Sequence, residues 1–200
     1  MICVNNKLSR DFYLRPTLKV AHDLLGKFLT YKSGSKLLTG RLVEVEAYIG
    51  KGDPACHAAV GKTKRNEVMF GLGGYSYIYF IYGMYYCLNV VTEDEGFPAA
   101  VLIRGVEPVK GVEYMRQRYS NPDKNKLTDG PGKLCKAFNL TGKDNGLDLT
   151  GDKLYLEDCG YKVSRIERSQ RIGIKKGVEK LWRFYDPDSI YVSKRGIKRK

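Results

Sequence analysis

Two hundred residues, 42% hydrophobic and 28% charged, predict one soluble domain, too apolar for disorder and too punctuated by charge for a membrane protein. Thirty-five Lys and Arg stand against 22 Asp and Glu, a net charge of +13, and the chain keeps +8 without its basic end, Lys194 to Lys200. A body this basic fits a polyanionic partner, because cations that neutralise phosphates release condensed counterions.

The first sixteen residues mix Asn, Lys, Arg and Asp where a secretory signal needs an apolar core, which predicts a protein that stays inside the cell. A helix is expected next, opened by Pro16 and Thr17, with Leu18, Ala21, Leu24 and Leu25 at helical spacing and Gly26 just past its end. His22 rides on its surface. Two strands follow, Lys27 to Tyr31 and Leu37 to Ile49. Alternation in the second puts Leu42, Glu44, Glu46 and Tyr48 on one face and Arg41, Val43, Val45 and Ala47 on the other, which reads as a wet side and a core side. Gly50 to Lys64 has loop composition and holds His57.

Six of the fifteen tyrosines crowd into Gly71 to Thr92. Aromatic and β-branched residues around Gly83-Met84 predict a hairpin of two strands, roughly Tyr75 to Ile81 and Tyr85 to Val91, with Tyr82 at its tip. Most of these tyrosines suit a half-buried sheet. The most apolar stretch of the chain, Tyr77 to Val91, runs to about fifteen residues and falls short of the ~20 needed to span a bilayer. A buried strand from Ala99 to Arg104, helical text from Pro108 to Arg118 and a short helix from Lys133 to Phe138 complete the expected elements.

Five cysteines, Cys3, Cys56, Cys87, Cys135 and Cys159, show no CxxC pair, and there are only two histidines. This argues against a disulfide framework, a zinc ribbon or a His-rich metal cage, and leaves little room for a Ser/His/Asp triad. What remains is aromatic and acidic. Glu46 and Tyr48 in one pocket with Tyr79, His57 and Arg104 would form an aromatic sandwich with a carboxylate beside it. Such a pocket suits a base extruded from a duplex, with the carboxylate activating water against C1′. Strand geometry leaves Glu44 and Glu46 equal candidates for that role. A non-catalytic module whose aromatic hairpin stacks on bases would explain the charge and the tyrosines equally well, but not a carboxylate facing nucleic acid.

The segments GRLVEVEAYIGKGDPACHA, KRNEVMFG, YSYIYFIYGMYYCLNVV, AAVLIRGVEP and DGPGKLCKA resemble, in order and spacing, the alkyladenine (3-methyladenine or methylpurine) DNA glycosylase family, from about Leu14 to Phe184. RIGIKKG and LWRFYDPDSIYVS resemble its C-terminal segment more loosely. The resemblance implies a single α+β domain with a curved antiparallel-rich sheet, surrounding helices and a protruding DNA-inserting hairpin. It implies a monomer that acts on double-stranded DNA containing damaged purines, with no metal, no cofactor and no membrane association, in the cytoplasm of a bacterium or the nucleus of a eukaryote. By the same resemblance Glu46 activates water and Arg104 helps to hold it. Tyr48 stacks on one side of the flipped base, His57 and Tyr79 on the other, and Asn89 disfavours the exocyclic amine of guanine. Tyr82 fills the gap in the duplex with Met84 and Tyr85 beside it, and Arg65 and Lys133 contact the backbone.

Overall fold

A computed structural model describes residues 6–50, 52–120 and 126–193; the basic end Lys194 to Lys200 lies outside the described residues. After a single helical turn, α1 (Arg10–Tyr13), the expected helix forms as α2 (Thr17–Leu24), with Gly26 beyond its end at φ +83°. Val20, Ala21 and Leu24 are fully buried, while His22 stays at the surface and bonds Asp23. Among the described residues the remaining α-helices are α3 (Val112–Arg116) and α4 (Pro131–Phe138), with Pro131 in the first turn of α4 where its missing N–H costs nothing.

One curled antiparallel sheet organises this α+β fold. Its strands are β1 (Phe28–Ser33), β2 (Lys36–Ile49), β3 (Ser76–Ile81), β4 (Tyr85–Val91), β5 (Ala99–Lys110), β6 (Leu154–Glu157), β7 (Glu167–Ser169) and β8 (Arg183–Tyr185). The spatial order is β3-β4-β5-β2-β1-β6, and β8 pairs with both β2 and β7. Along one edge β2 meets β5 from Thr39 to Ile49; along the other it meets β1 up to Arg41 and β8 from Glu44 to Glu46. Helix α2 packs on β2 and β5, and α4 on β4 and β5, enclosing the main core. At the far end β3 is an edge strand, but Ser76 exchanges backbone hydrogen bonds with Gly146 and Leu147, and Ile78 N–H donates to Asn145 Oδ1.

The two-faced reading of β2 fails. Register shifts on either side of Glu44 form a bulge, and an extra residue reverses the alternation there. Leu42 therefore joins Val45 and Ala47 in the main core, while Val43 packs outward with Tyr185 and Val192. Nor is the carboxylate side wet: Glu44 and Glu46 are both 0% exposed, covered by β8 and the residues around it. The strand from Ala99 does not stop at Arg104, because β2 offers it partners as far as Lys110. Helical structure accordingly begins only after Gly111, whose φ of +74° and contact with Leu38 leave no room for a side chain.

Cys56, Cys87 and Cys135 are buried free thiols, and Cys3 lies outside the described residues. Among the described residues no helix is long and apolar enough to cross a membrane.

Candidate active site

The hairpin forms as expected, with Ile81 facing Tyr85 across Tyr82, Gly83 and Met84. Met84 N–H reaches back to Ile81 O, and both central residues of this turn have positive φ, +55° at Tyr82 and +65° at Gly83. A positive-φ pair matches the twist of antiparallel strands, but it strains a bulky residue such as tyrosine. Four of the six tyrosines pack as sheet residues. Tyr77 is buried and Tyr75, Tyr79 and Tyr86 half-buried, while Tyr82 and Tyr85 are exposed together with Met84.

At the base of the hairpin a cavity of about 750 Å³ opens between β2, β4, β5, the start of α4 and residues 172–176. Its size lies within the ~300–1,000 Å³ common for small-ligand sites. Tyr48, His57, Tyr79, Asn89 and Arg104 all line it. His57 stands edge-on to Tyr79 with ring centroids 4.5 Å apart, and His57 Nδ1 lies 3.0 Å from the Tyr77 hydroxyl. Asn66 anchors the loop behind it, its amide donating to the His57 and Gly61 carbonyls at 2.9 Å. Burial, and after it the charge of Arg65, lowers the His57 pKa, which favours a neutral ring. Asn89 is 3% exposed and donates its amide hydrogens to Tyr77 O at 3.0 Å and Cys87 O at 3.4 Å, so its side chain is fixed.

The carboxylates sit behind this wall and are no longer equivalent. Glu44 is enclosed by Arg183 Nε at 2.6 Å, Arg104 Nε at 3.1 Å and the backbone and hydroxyl of Ser193. Glu46 accepts from two groups that line the cavity: Tyr48 Oη at 2.8 Å and Arg104 Nη1 at 3.2 Å, both to Oε2. Its Oε1 takes the Ile172 N–H at 2.7 Å. Burial raises the Glu46 carboxyl above its usual range, against the opposing pull of Arg104, the Ile172 N–H and the Tyr48 hydroxyl. Burial and the neighbouring Glu46 push Tyr48 well up, so it remains a donor. Although burial alone would lower it, Arg104 is raised by Glu46 and Glu44 and stays charged. A base poised by desolvation and a fixed cation is equipment for general acid–base chemistry.

Two other expected residues have partners of their own. Arg65 donates to Phe80 O at 3.1 Å and lies 5.6 Å from the Tyr79 ring, bracing the hairpin. Lys133 lines the cavity mouth and pairs with Asp129 at 2.7 Å. Among the described residues no cluster of three His, Cys, Asp or Glu could hold a metal ion. Sequence reasoning missed Arg183, Ser193 and Ile172, which reach β2 from more than a hundred residues away; the segments RIGIKKG and LWRFYDPDSIYVS that hold them carried a signal only as a loose family match.

A profile of the family described as Methylpurine-DNA glycosylase matches residues 11–190. A relative from Alkaliphilus oremlandii, named "Putative 3-methyladenine DNA glycosylase", is 48% identical over 201 residues, covering 94% of this chain and 100% of the relative. Proteins of the same name from Methanocella arvoryzae and from Wolbachia of Brugia malayi are 51% and 54% identical. Those matches cover 94% and 90% of this chain and 96% and 97% of the relatives.

Proposed function

Because the chain belongs to the methylpurine-DNA glycosylase family, we propose that it is a monofunctional glycosylase. As a monomer it extrudes alkylated or deaminated purines from duplex DNA and hydrolyses the N-glycosidic bond with an activated water. Candidate lesions are 3-methyladenine, 7-methylguanine, hypoxanthine and ethenoadenine. It works where the genome is, in bacterial cytoplasm or a eukaryotic nucleus.

The observation that carries this reading is Glu46: a fully buried carboxylate whose Oε2 is held by two groups of the aromatic cavity. A module that only binds DNA has no use for a buried acid there. In the proposed reaction the flipped base enters between Tyr48 and the His57–Tyr79 wall, while Tyr82 fills the vacated stack. Glu46 takes a proton from water as its oxygen bonds to C1′, and the C1′–N bond breaks with its electron pair leaving on the base. A purine alkylated at N3 or N7 is already cationic, so it departs neutral without a general acid. A neutral lesion such as hypoxanthine must also gain a proton. Asn89, fixed by its two hydrogen bonds, would obstruct the exocyclic amine of guanine. The products are a free base and an intact strand with an abasic site, since a water nucleophile forms no Schiff base.

The test is release of free base from duplexes carrying a single hypoxanthine or 3-methyladenine, with strand scission only after alkali. Binding of these duplexes without release of any base would return the protein to the non-catalytic reading.

A further inference from the structure

Asp53 and Arg171 form an ion pair that excludes water completely, with both side chains 0% exposed. The contact is a two-pronged fork, Nη1 to Oδ2 at 2.6 Å and Nη2 to Oδ1 at 2.7 Å, between residues 118 apart in sequence. Neither residue lines the cavity, but each is followed by ones that do: Pro54, Ala55 and His57 after Asp53, and Ile172 to Lys176 after Arg171. The same guanidinium donates to Ala47 O at 3.0 Å, the carbonyl between Glu46 and Tyr48, and to Gly177 O at 3.3 Å. It also lies 4.6 Å from the centre of the Tyr48 ring. Asp53 in turn accepts from Ala55 N–H at 3.2 Å, shaping the turn that leads to His57.

We infer that Asp53 and Arg171 are positioning residues for catalysis, which clamp the His57 turn and the 171–177 segment onto β2 so that the Ile172 N–H meets Glu46 and the Tyr48 ring stays in place. The inference rests on the glycosylase reading of this cavity. Buried ion pairs are poor devices for stability alone, because desolvation offsets much of their attraction. What the fork supplies is direction. It fixes the peptide after Arg171, and that peptide is the donor to Glu46 Oε1. The groups facing Glu46 are Arg104 from β5, Glu44 and Tyr48 from β2, Tyr79 and Cys87 from the hairpin strands, and Arg171. Of these surroundings the clamp controls Arg171 and the Ile172 N–H, both of which favour the ionised carboxylate.

The experiment compares the wild-type protein with Asp53→Asn and Arg171→Lys in single-turnover release of hypoxanthine from a duplex across pH, with thermal melting and undamaged-duplex affinity measured in parallel. Misplacing a catalytic group by about 1 Å can cost ~100-fold. We expect rates ~10 to 100-fold lower in both variants and affinity for undamaged duplex within about twofold. The pH readout belongs to Arg171→Lys, which keeps the charge without the fork and should move the acidic limb of the pH–rate profile to higher pH; it also serves if Asp53→Asn does not fold. Unchanged rates, or a loss of rate that follows the folded fraction with the limb unmoved, would overturn the clamp. A wild-type protein that releases no base would instead overturn the glycosylase reading.

Discussion

The Tyr48 hydroxyl donates to Glu46 Oε2 at 2.8 Å, between side chains two residues apart that share one side of β2 beyond the bulge. The ring proposed to stack on the lesion thus also holds the carboxylate proposed to activate water. Because burial raises Glu46 above the ordinary carboxylate value of ~4.3, the rate should fall on acidification through a limb above that value. Tyr48→Phe keeps the ring but removes a donor that favours the ionised form. Excision should drop about tenfold and the limb should move further up, as a pH series of single-turnover rates will read. A limb at the ordinary value, or one that moves down, contradicts this account.

Glu46→Gln preserves shape and removes the base, so release should slow by ~100 to 10,000-fold. The substitution also changes the charge balance. Glu44 and Glu46 are matched by Arg104 and Arg183, and a neutral amide in place of the Glu46 carboxylate leaves one positive charge in excess. A duplex carrying hypoxanthine should therefore bind as well as before, while one carrying cationic 7-methylguanine binds more weakly. Equal weakening of both would show that Glu46 acts on affinity as a whole.

Glu44→Gln should behave in the opposite way. Its partners Arg104, Arg183 and Ser193 join β2, β5, β8 and the last described residues, and removing one member of a buried ion pair costs ~3–5 kcal/mol. Urea denaturation should show that loss, while excision per folded molecule falls far less than in Glu46→Gln. An unchanged midpoint would refute the structural role; a larger loss of turnover than in Glu46→Gln would exchange the two assignments.

Tyr82→Ser should reduce the flipped population, because the vacated stack loses its filler. The fluorescence of an ethenoadenine in the duplex reports this directly. Tyr82 is 76% exposed on a backbone at φ +55°, so the substitution disturbs little else. An unaltered signal would make Tyr82 a surface residue of the turn and nothing more.

Binding to undamaged duplex should weaken steeply with salt, in a linear log–log plot, as a basic surface that displaces counterions requires. A flat response would dissociate the charge of the chain from DNA binding.

The hairpin was legible because aromatic and β-branched residues flank a glycine turn, a signal contained within about twenty residues. Glu46, Tyr48, His57, Tyr79 and Arg104 group into one pocket on residue chemistry alone and the family resemblance adds Asn89; five of the six line one cavity, with Glu46 just behind it. Local pattern alone failed where tertiary partners decide. The bulge at Glu44 follows from registry with β5, and the extension of β5 past Pro108 follows from the length of β2. Strands β6, β7 and β8 span only three or four residues each, too few to establish an alternation. The Asp53–Arg171 fork joins two polar residues whose own neighbourhoods give no hint of each other.

The edge strand β3 has a consequence for how copies of the protein meet. An open edge invites strand addition by another chain, and hydrophobic aromatic edges are common starting points for aggregation. Here the outward backbone groups of Ser76 are taken by Gly146 and Leu147, the Ile78 N–H by Asn145 and the Phe80 carbonyl by Arg65. The sheet therefore ends in a hem of its own loops and one arginine, which leaves fewer backbone groups of β3 open to strand addition by another copy.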